Sequence, residues 1–167
     1  MEKVLVTGAT GYIALHCVQQ LLDQGYAVNG SIRSPERKNE VIEALKNSGT
    51  STENLNLYVF DLTNDEGWDD GMEGCDYLLH VASPLALENH TEDYFVKPAV
   101  AGAKRALKFA KKHGVKKVVL TSSVAAIFET GEEKVFYDES DWSDPDNPNI
   151  SNLSLIHISE PTRQPCI

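Results

Sequence analysis

From Met1 to about Ile127 the chain alternates short apolar runs with amphipathic stretches. Lys3 to Val6 is a brief apolar run ending at Thr7-Gly8, the pattern of a strand buried in a parallel sheet. Residues 11–25 read as a helix, with Ile13, Cys17, Leu21 and Leu22 on one face and Gly25 as its stop. A second strand runs from Tyr26 to Ile32, with Ala27, Val28 and Ile32 as apolar positions. Pro35 opens a helix to about Asn47, closed by Ser48-Gly49. Leu55–Phe60 and Asp76–Ala82 read as the third and fourth strands. Between about Asp93 and His113 lies a long helix, in which Val96, Val100, Ala103, Leu107 and Ala110 form a helical stripe. Pro98 falls early in it, where a proline costs least or leaves a kink, and Gly114 ends it. Lys116–Leu120 is a fifth strand, leading into Thr121-Ser122-Ser123.

Strands alternating with helices of this length specify a parallel sheet with right-handed crossovers. The expected fold is therefore α/β, a Rossmann-like doubly wound parallel sheet. It is expected to be truncated after about the fifth strand. Pro145 and Pro148 mark a loop, and the later apolar run Leu153–Ile158 has no partner segment after it.

Composition narrows the function. The 167 residues suffice for one domain with its own core, at 41% hydrophobic and 24% charged. A net charge of −10 argues against nucleic acid as the main partner, since such binders need a basic face. Residues 129–146 hold eight acidic residues and one lysine, so −7 of that charge sits in one solvated stretch. No apolar run approaches the ~18–20 residues that span a bilayer, and no signal peptide is read at MEKVLVTG. Cys17, Cys75 and Cys166 form no CxxC pair and read as thiols of a reducing, cytoplasmic compartment.

The chemistry is concentrated in VLVTGATGYIA, where Gly8, Gly11 and Ala14 recur at three-residue spacing between a strand and a helix. Gly8 lets the chain turn tightly, Gly11 lets backbone approach a pyrophosphate, and Ala14 lets the helix pack closely on the sheet. The helix N-terminus supplies N–H groups and partial positive charge for phosphates. An NAD site usually has an acidic residue at the end of the second strand, about 20 residues beyond the glycines. Ser31-Ile32-Arg33, then Arg37 and Lys38, stand there instead. A guanidinium at that place suits a 2′-phosphate, so NADP(H) is the preferred cofactor and NAD(H) the alternative. The bland readings are a tight turn without ligand and a solvated surface arginine.

These residues together resemble the extended short-chain dehydrogenase/reductase superfamily, in the dihydroflavonol-reductase-like and aldehyde-reductase-like branch of the NAD-dependent epimerase/dehydratase family. The resemblance covers about residues 2–150. It implies that the turn residues Gly8, Thr10, Gly11, Tyr12 and Ile13 hold the dinucleotide. Arg33 and Lys38 resemble the NADP-phosphate contacts, and Asp61-Leu62 the pair that brackets the adenine. Val81, Ala82 and Ser83, within HVASP, resemble the segment that passes the nicotinamide ribose. VVLTSSVAAI resembles the strand that ends in the catalytic serine, here Ser123. In such enzymes a serine holds the substrate oxygen, a tyrosine moves the proton and a lysine four residues on lowers the tyrosine pKa.

None of the six tyrosines has a lysine four places on. The resemblance stops just before the helix that would carry that pair. SLIHISEPTR (154–163) resembles translated sequencing-adapter read-through. The expected organisation is thus an N-terminal part of an NAD(P)-binding Rossmann domain at 1–152 and a non-native tail at 153–167. The five histidines show no metal-ligand spacing and read as structural or surface residues. Glu132, Glu133, Asp138, Glu139 and Asp141 read as a solvated loop, and Trp68 and Trp142 as packing residues. The expected function is reduction of a small-molecule carbonyl to an alcohol by the parent protein, with the chain as given inactive. The alternatives are an NAD-dependent sugar-nucleotide epimerase or dehydratase, and a non-catalytic dinucleotide-binding module.

Overall fold

The computed structural model describes residues 1–83, 92–128, 134–138 and 140–144, with backbone alone for residues 92–95. The tail from residue 153 lies outside the described residues, as do His90, His157, Cys166, Glu132, Glu133 and Glu139. The chain divides into two compact units, Met1–Pro84 with Pro98–Thr121, and Leu85–Lys97 with Ser122–Ile167.

The first unit is a parallel five-stranded sheet of β1 (Lys3–Val6), β2 (Ala27–Ile32), β3 (Leu55–Val59), β4 (Tyr77–His80) and β5 (Lys117–Leu120), in the order β3-β2-β1-β4-β5. Between them run α1 (Tyr12–Asp23), a 3-10 turn at Pro35–Arg37 continued by α2 (Lys38–Asn47), α3 (Trp68–Met72) and α4 (Glu92–Lys112). This is the doubly wound Rossmann-like α/β fold. The chain steps outward from β1 to β2 and β3, then crosses back to lay β4 on the other side of β1. Register follows from this: Val4 pairs with Val28 and Tyr77, and Leu79 with Val119.

Side chains alternate across a strand, so β1 feeds two layers. Val4 and Val6 join Ala14, Val18, Val28, Ile32, Val41 and Leu45 beneath α1 and α2. Leu5 joins Phe60, Trp68, Met72, Leu78, Ala106 and Phe109 beneath α3 and α4. Trp68 is a packing residue, as its type suggested: it is fully buried, stacks on Phe109 at 5.7 Å and donates its Nε1–H to the Asp61 carbonyl at 2.9 Å.

Two expectations of detail are corrected, and one helix was not expected. On α1 the buried face centres on Ala14 and Val18, while Ile13 is exposed. On α4 two members of the expected stripe, Val100 and Leu107, are exposed, Val96 and Ala103 are half-buried and Ala110 is buried; the helix packs through Gly102, Ala106, Phe109 and Ala110. Gly102 matters because a Cβ there would stand 3.2 Å from the Leu62 Cβ. The third difference is α3, whose five residues WDDGM show no apolar period. It is entered through Gly67 at φ 76, a left-handed conformation suited to glycine.

In the second unit, α5 (Ala125–Phe128) begins two residues after Ser123, whose Oγ accepts from the Ala125 N–H at 3.2 Å. Ser143 donates its hydroxyl to the Ala125 carbonyl at 2.7 Å. Asp138 accepts from the backbone and hydroxyl of Ser140, and Asp141 pairs with Lys134. Among the described residues no helix is long and apolar enough to cross a membrane.

Candidate functional site

In an open parallel sheet, the crevice beyond the strands' carboxyl ends lies where the strand order reverses, here between β1 and β4. Thr7 leaves the end of β1 and Val81 the end of β4. Beyond Thr7 the chain turns at Gly8, with φ 72, and a Cβ there would stand 3.0 Å from the Ala82 Cβ. The Gly11 N–H closes the turn on the Gly8 carbonyl at 2.8 Å. A Cβ on Gly11 would stand 3.2 Å from that same oxygen.

The first turn of α1 suits an anion. Its ladder begins with the Leu15 N–H on the Gly11 carbonyl at 2.8 Å, so the N–H groups of Tyr12, Ile13 and Ala14 precede it. No side chain caps this end and no acidic residue stands in its first turn. The positive end of the helix dipole therefore has no counter-charge from its own first turn. Tyr12 and Ile13 are 80% and 58% exposed beside it, and the Tyr12 ring meets His16 edge-on at 4.8 Å. Thr10 is half-buried within the turn.

β2 supplies the next wall. The Ser31 hydroxyl accepts from the Gly8 N–H and its carbonyl from the Ala9 N–H, both at 2.8 Å. Ser31 thus fixes the turn from its neighbouring strand, two residues before the exposed Arg33. Gly30 makes room for this: a Cβ there would stand 3.0 Å from the Ala9 Cβ. Arg37 is taken by Glu40 in a forked pair with a 2.8 Å contact. Among the described residues Arg33 and Lys38 have no such acidic partner.

The end of β4 is tied to the turn through Thr7. Its Oγ1 accepts from the Val81 and Ala82 N–H groups, each at 3.0 Å, and stands 3.0 Å from His80 Nδ1. His80 is buried, and burial pushes its imidazole down to about 4. Ser83 follows, exposed. The structure so brings Gly8, Gly11, Tyr12, Ile13, Val81 and Ala82 to one end of the sheet, with Arg33 and Lys38 beyond β2.

Asp61 and Leu62 make contacts within the first unit. The Asp61 carboxylate accepts from the Thr63 N–H at 2.8 Å and hydroxyl at 2.6 Å. Leu62 packs in the layer beneath α4. Ser123 belongs to the second unit. Sequence reasoning missed Thr7, Ser31 and His80 as site-forming residues. Their signal was a polar residue at the carboxyl end of an otherwise apolar strand. Cys75 is a buried thiol with its pKa pushed up by burial to about 11, and Cys17 is half-buried and free.

Known proteins are similar to this chain in sequence and in fold. The chain is 37% identical over 145 residues to dihydroflavonol 4-reductase of Solanum lycopersicum, covering 86% of this chain and 38% of that protein. The crystal structure of vestitone reductase from Medicago sativa superposes with a TM-score of 0.78 at 32% identity, over 95% of this chain and 49% of that one. The yeast methylglyoxal/isovaleraldehyde reductase complexed with NADPH gives 0.77 at 30% identity, over 93% and 48%. The chain thus spans about half the length of these structures, or less for the tomato protein. The NAD dependent epimerase/dehydratase family matches residues 4–151, which takes in the glycine turn, both walls of the crevice and Ser123. On that match, and with relatives that are reductases, this chain belongs to the NAD dependent epimerase/dehydratase family.

Proposed function

We propose that this chain is the nucleotide-holding part of an NADP(H)-dependent oxidoreductase that reduces a small carbonyl compound to an alcohol. The observation that carries the reading is the uncapped glycine turn at the β1/β4 crevice, with Arg33 exposed beyond β2 and without an acidic partner among the described residues. The donor set fits a dinucleotide. Free N–H groups at α1 suit a pyrophosphate, and the Arg33 guanidinium with the Lys38 ammonium suits a 2′-phosphate. When bound, the cofactor supplies the hydride. Of the chain's own residues, Ser123 is assigned to hold the substrate oxygen, and Tyr12 and Ile13 to flank the phosphates. The NADPH complex of the yeast relative supports this choice over NADH.

The test is titration of the chain with NADPH and NADH. NADPH should bind more tightly, by about tenfold or more, and Arg33→Asp should remove that preference. Unchanged NADPH affinity in the variant would overturn the assignment of Arg33. The absence of Tyr-x-x-x-Lys from the sequence favours nucleotide binding without turnover by this chain. Sustained NADPH consumption with an aldehyde or ketone would show that the chain turns over.

A further inference from the structure

We infer that His80 is a positioning residue which, through the Thr7 hydroxyl, holds the end of β4 against the glycine turn. The inference adds to the nucleotide reading and rests on it for its effect on affinity. A hydroxyl has one proton and two lone pairs. Both lone pairs of Thr7 Oγ1 are occupied, by the N–H groups of Val81 and Ala82. Its one proton is therefore left for His80 Nδ1, at 3.0 Å. Nδ1 must then carry the lone pair, so His80 is neutral and protonated on Nε2.

This arrangement extends the tie between the strands past the ladder. The Thr7 N–H bonds the Leu79 carbonyl at 3.0 Å, and the hydroxyl continues the contact to Val81 and Ala82. Ala82 is the residue that Gly8 turns against, so its place sets one side of the turn. An apolar residue at position 80 would leave the Thr7 proton without an acceptor in a buried site. The hydroxyl would turn to find another, and the two N–H groups would lose a fixed partner.

The experiment uses the full chain and two readouts. Nitrogen-15 NMR of the nucleotide-free chain reads the tautomer, and amide hydrogen exchange reads Val81 and Ala82. We expect His80 unprotonated at Nδ1 and protonated at Nε2. Thr7→Val and His80→Phe should speed exchange at Val81 and Ala82 by about tenfold, the loss of one hydrogen bond, with little change at Leu5 and Leu78. Thr7→Ser and His80→Asn keep a hydroxyl and an acceptor and should retain the protection. NADPH affinity should follow the same order, falling about tenfold in the first pair. A proton on Nδ1, or unchanged exchange in folded Thr7→Val, would overturn the inference. Failure of the parent chain to bind NADPH, with protection intact, would overturn the nucleotide reading and leave the positioning role standing.

Discussion

At the scale of single residues, the buried imidazole of His80 makes stability depend on pH. Its pKa is lowered from 6.5 to about 4, with burial as the cause. Between those values the unfolded chain binds the proton and the folded chain does not, so stability rises with pH across that window. The contribution is complete above pH 6.5 and is lost as pH falls toward 4, by about 3 kcal/mol for a shift of this size. Asp65, Asp69 and Asp76 are held below 3.8 by their hydrogen bonds to lysines of α4 and β5's entry, so their losses come at more acid pH. Denaturant unfolding at pH 7 and pH 4.5 should show a larger drop for the parent chain than for His80→Asn; equal drops would count against the assignment. Periodicity revealed nothing of this residue. Thr7 and His80 are 73 positions apart, and only the parallel register of β1 and β4 brings them together. The tight turn at Gly8 and Gly11 and the exposed place of Arg33 just after β2 were legible because they are local, set by a turn and by a strand's end.

At the scale of elements, the strands were legible because each is a short apolar run, while helix faces were not. Small residues misled the reading of α4: Gly102 and Ala106 carry little hydrophobic weight, yet they let the backbone approach the sheet layer. On α1, Ala14 and Val18 bury more completely than the larger Ile13 for the same reason. α3 shows how tight such packing is. A Cβ on Gly71 would stand 2.6 Å from Phe60 Cε1. Phe60 cannot give way easily, since it is buried with its ring 4.7 Å from that of Trp68. The Gly71 carbonyl also accepts from buried Asn29 Nδ2 at 2.8 Å, tying α3 to β2. In Gly71→Ala, helix propensity favours the variant by about 1 kcal/mol, and overpacking costs about 1–3 kcal/mol. Overpacking should win because the ring is locked, so the variant should melt at lower temperature. Equal or higher stability would show that Phe60 can move aside. Trp68→Phe tests the same seam from the other side, since it strips the Asp61 carbonyl of its donor and should lower stability by about 1 kcal/mol or more.

At the scale of the whole molecule, what matters is how much apolar surface the first unit leaves open. The strand order puts β5 at one edge of the sheet among the described residues, with β4 as its partner. Residues in parallel register share a face, so Val119 lies on the face of Leu79 and Leu120 on that of His80. Yet Val119 is 50% exposed and Leu120 42%, although their partners in β4 are half-buried or buried. The exposed stripe of α4 adds Val100 and Leu107, at 44% and 51%. A continuous apolar strand with an unpaired edge is a template for another chain, and charged side chains are the usual protection. Lys117 is the one charged residue of β5, at its start, which leaves Val118, Val119 and Leu120 in an unbroken run. The chain should therefore self-associate, with sedimentation coefficients that rise with protein concentration. Placing a lysine in the edge strand and another on the stripe, Val119→Lys with Leu107→Lys, should keep it monomeric over the same range. Both sites are half exposed in the single chain, so the double variant should lose little stability, and its melting should stay cooperative. A parent chain that sediments as a monomer at all concentrations would show that these surfaces do not pair. Association unchanged in the double variant would place the contact elsewhere on the molecule.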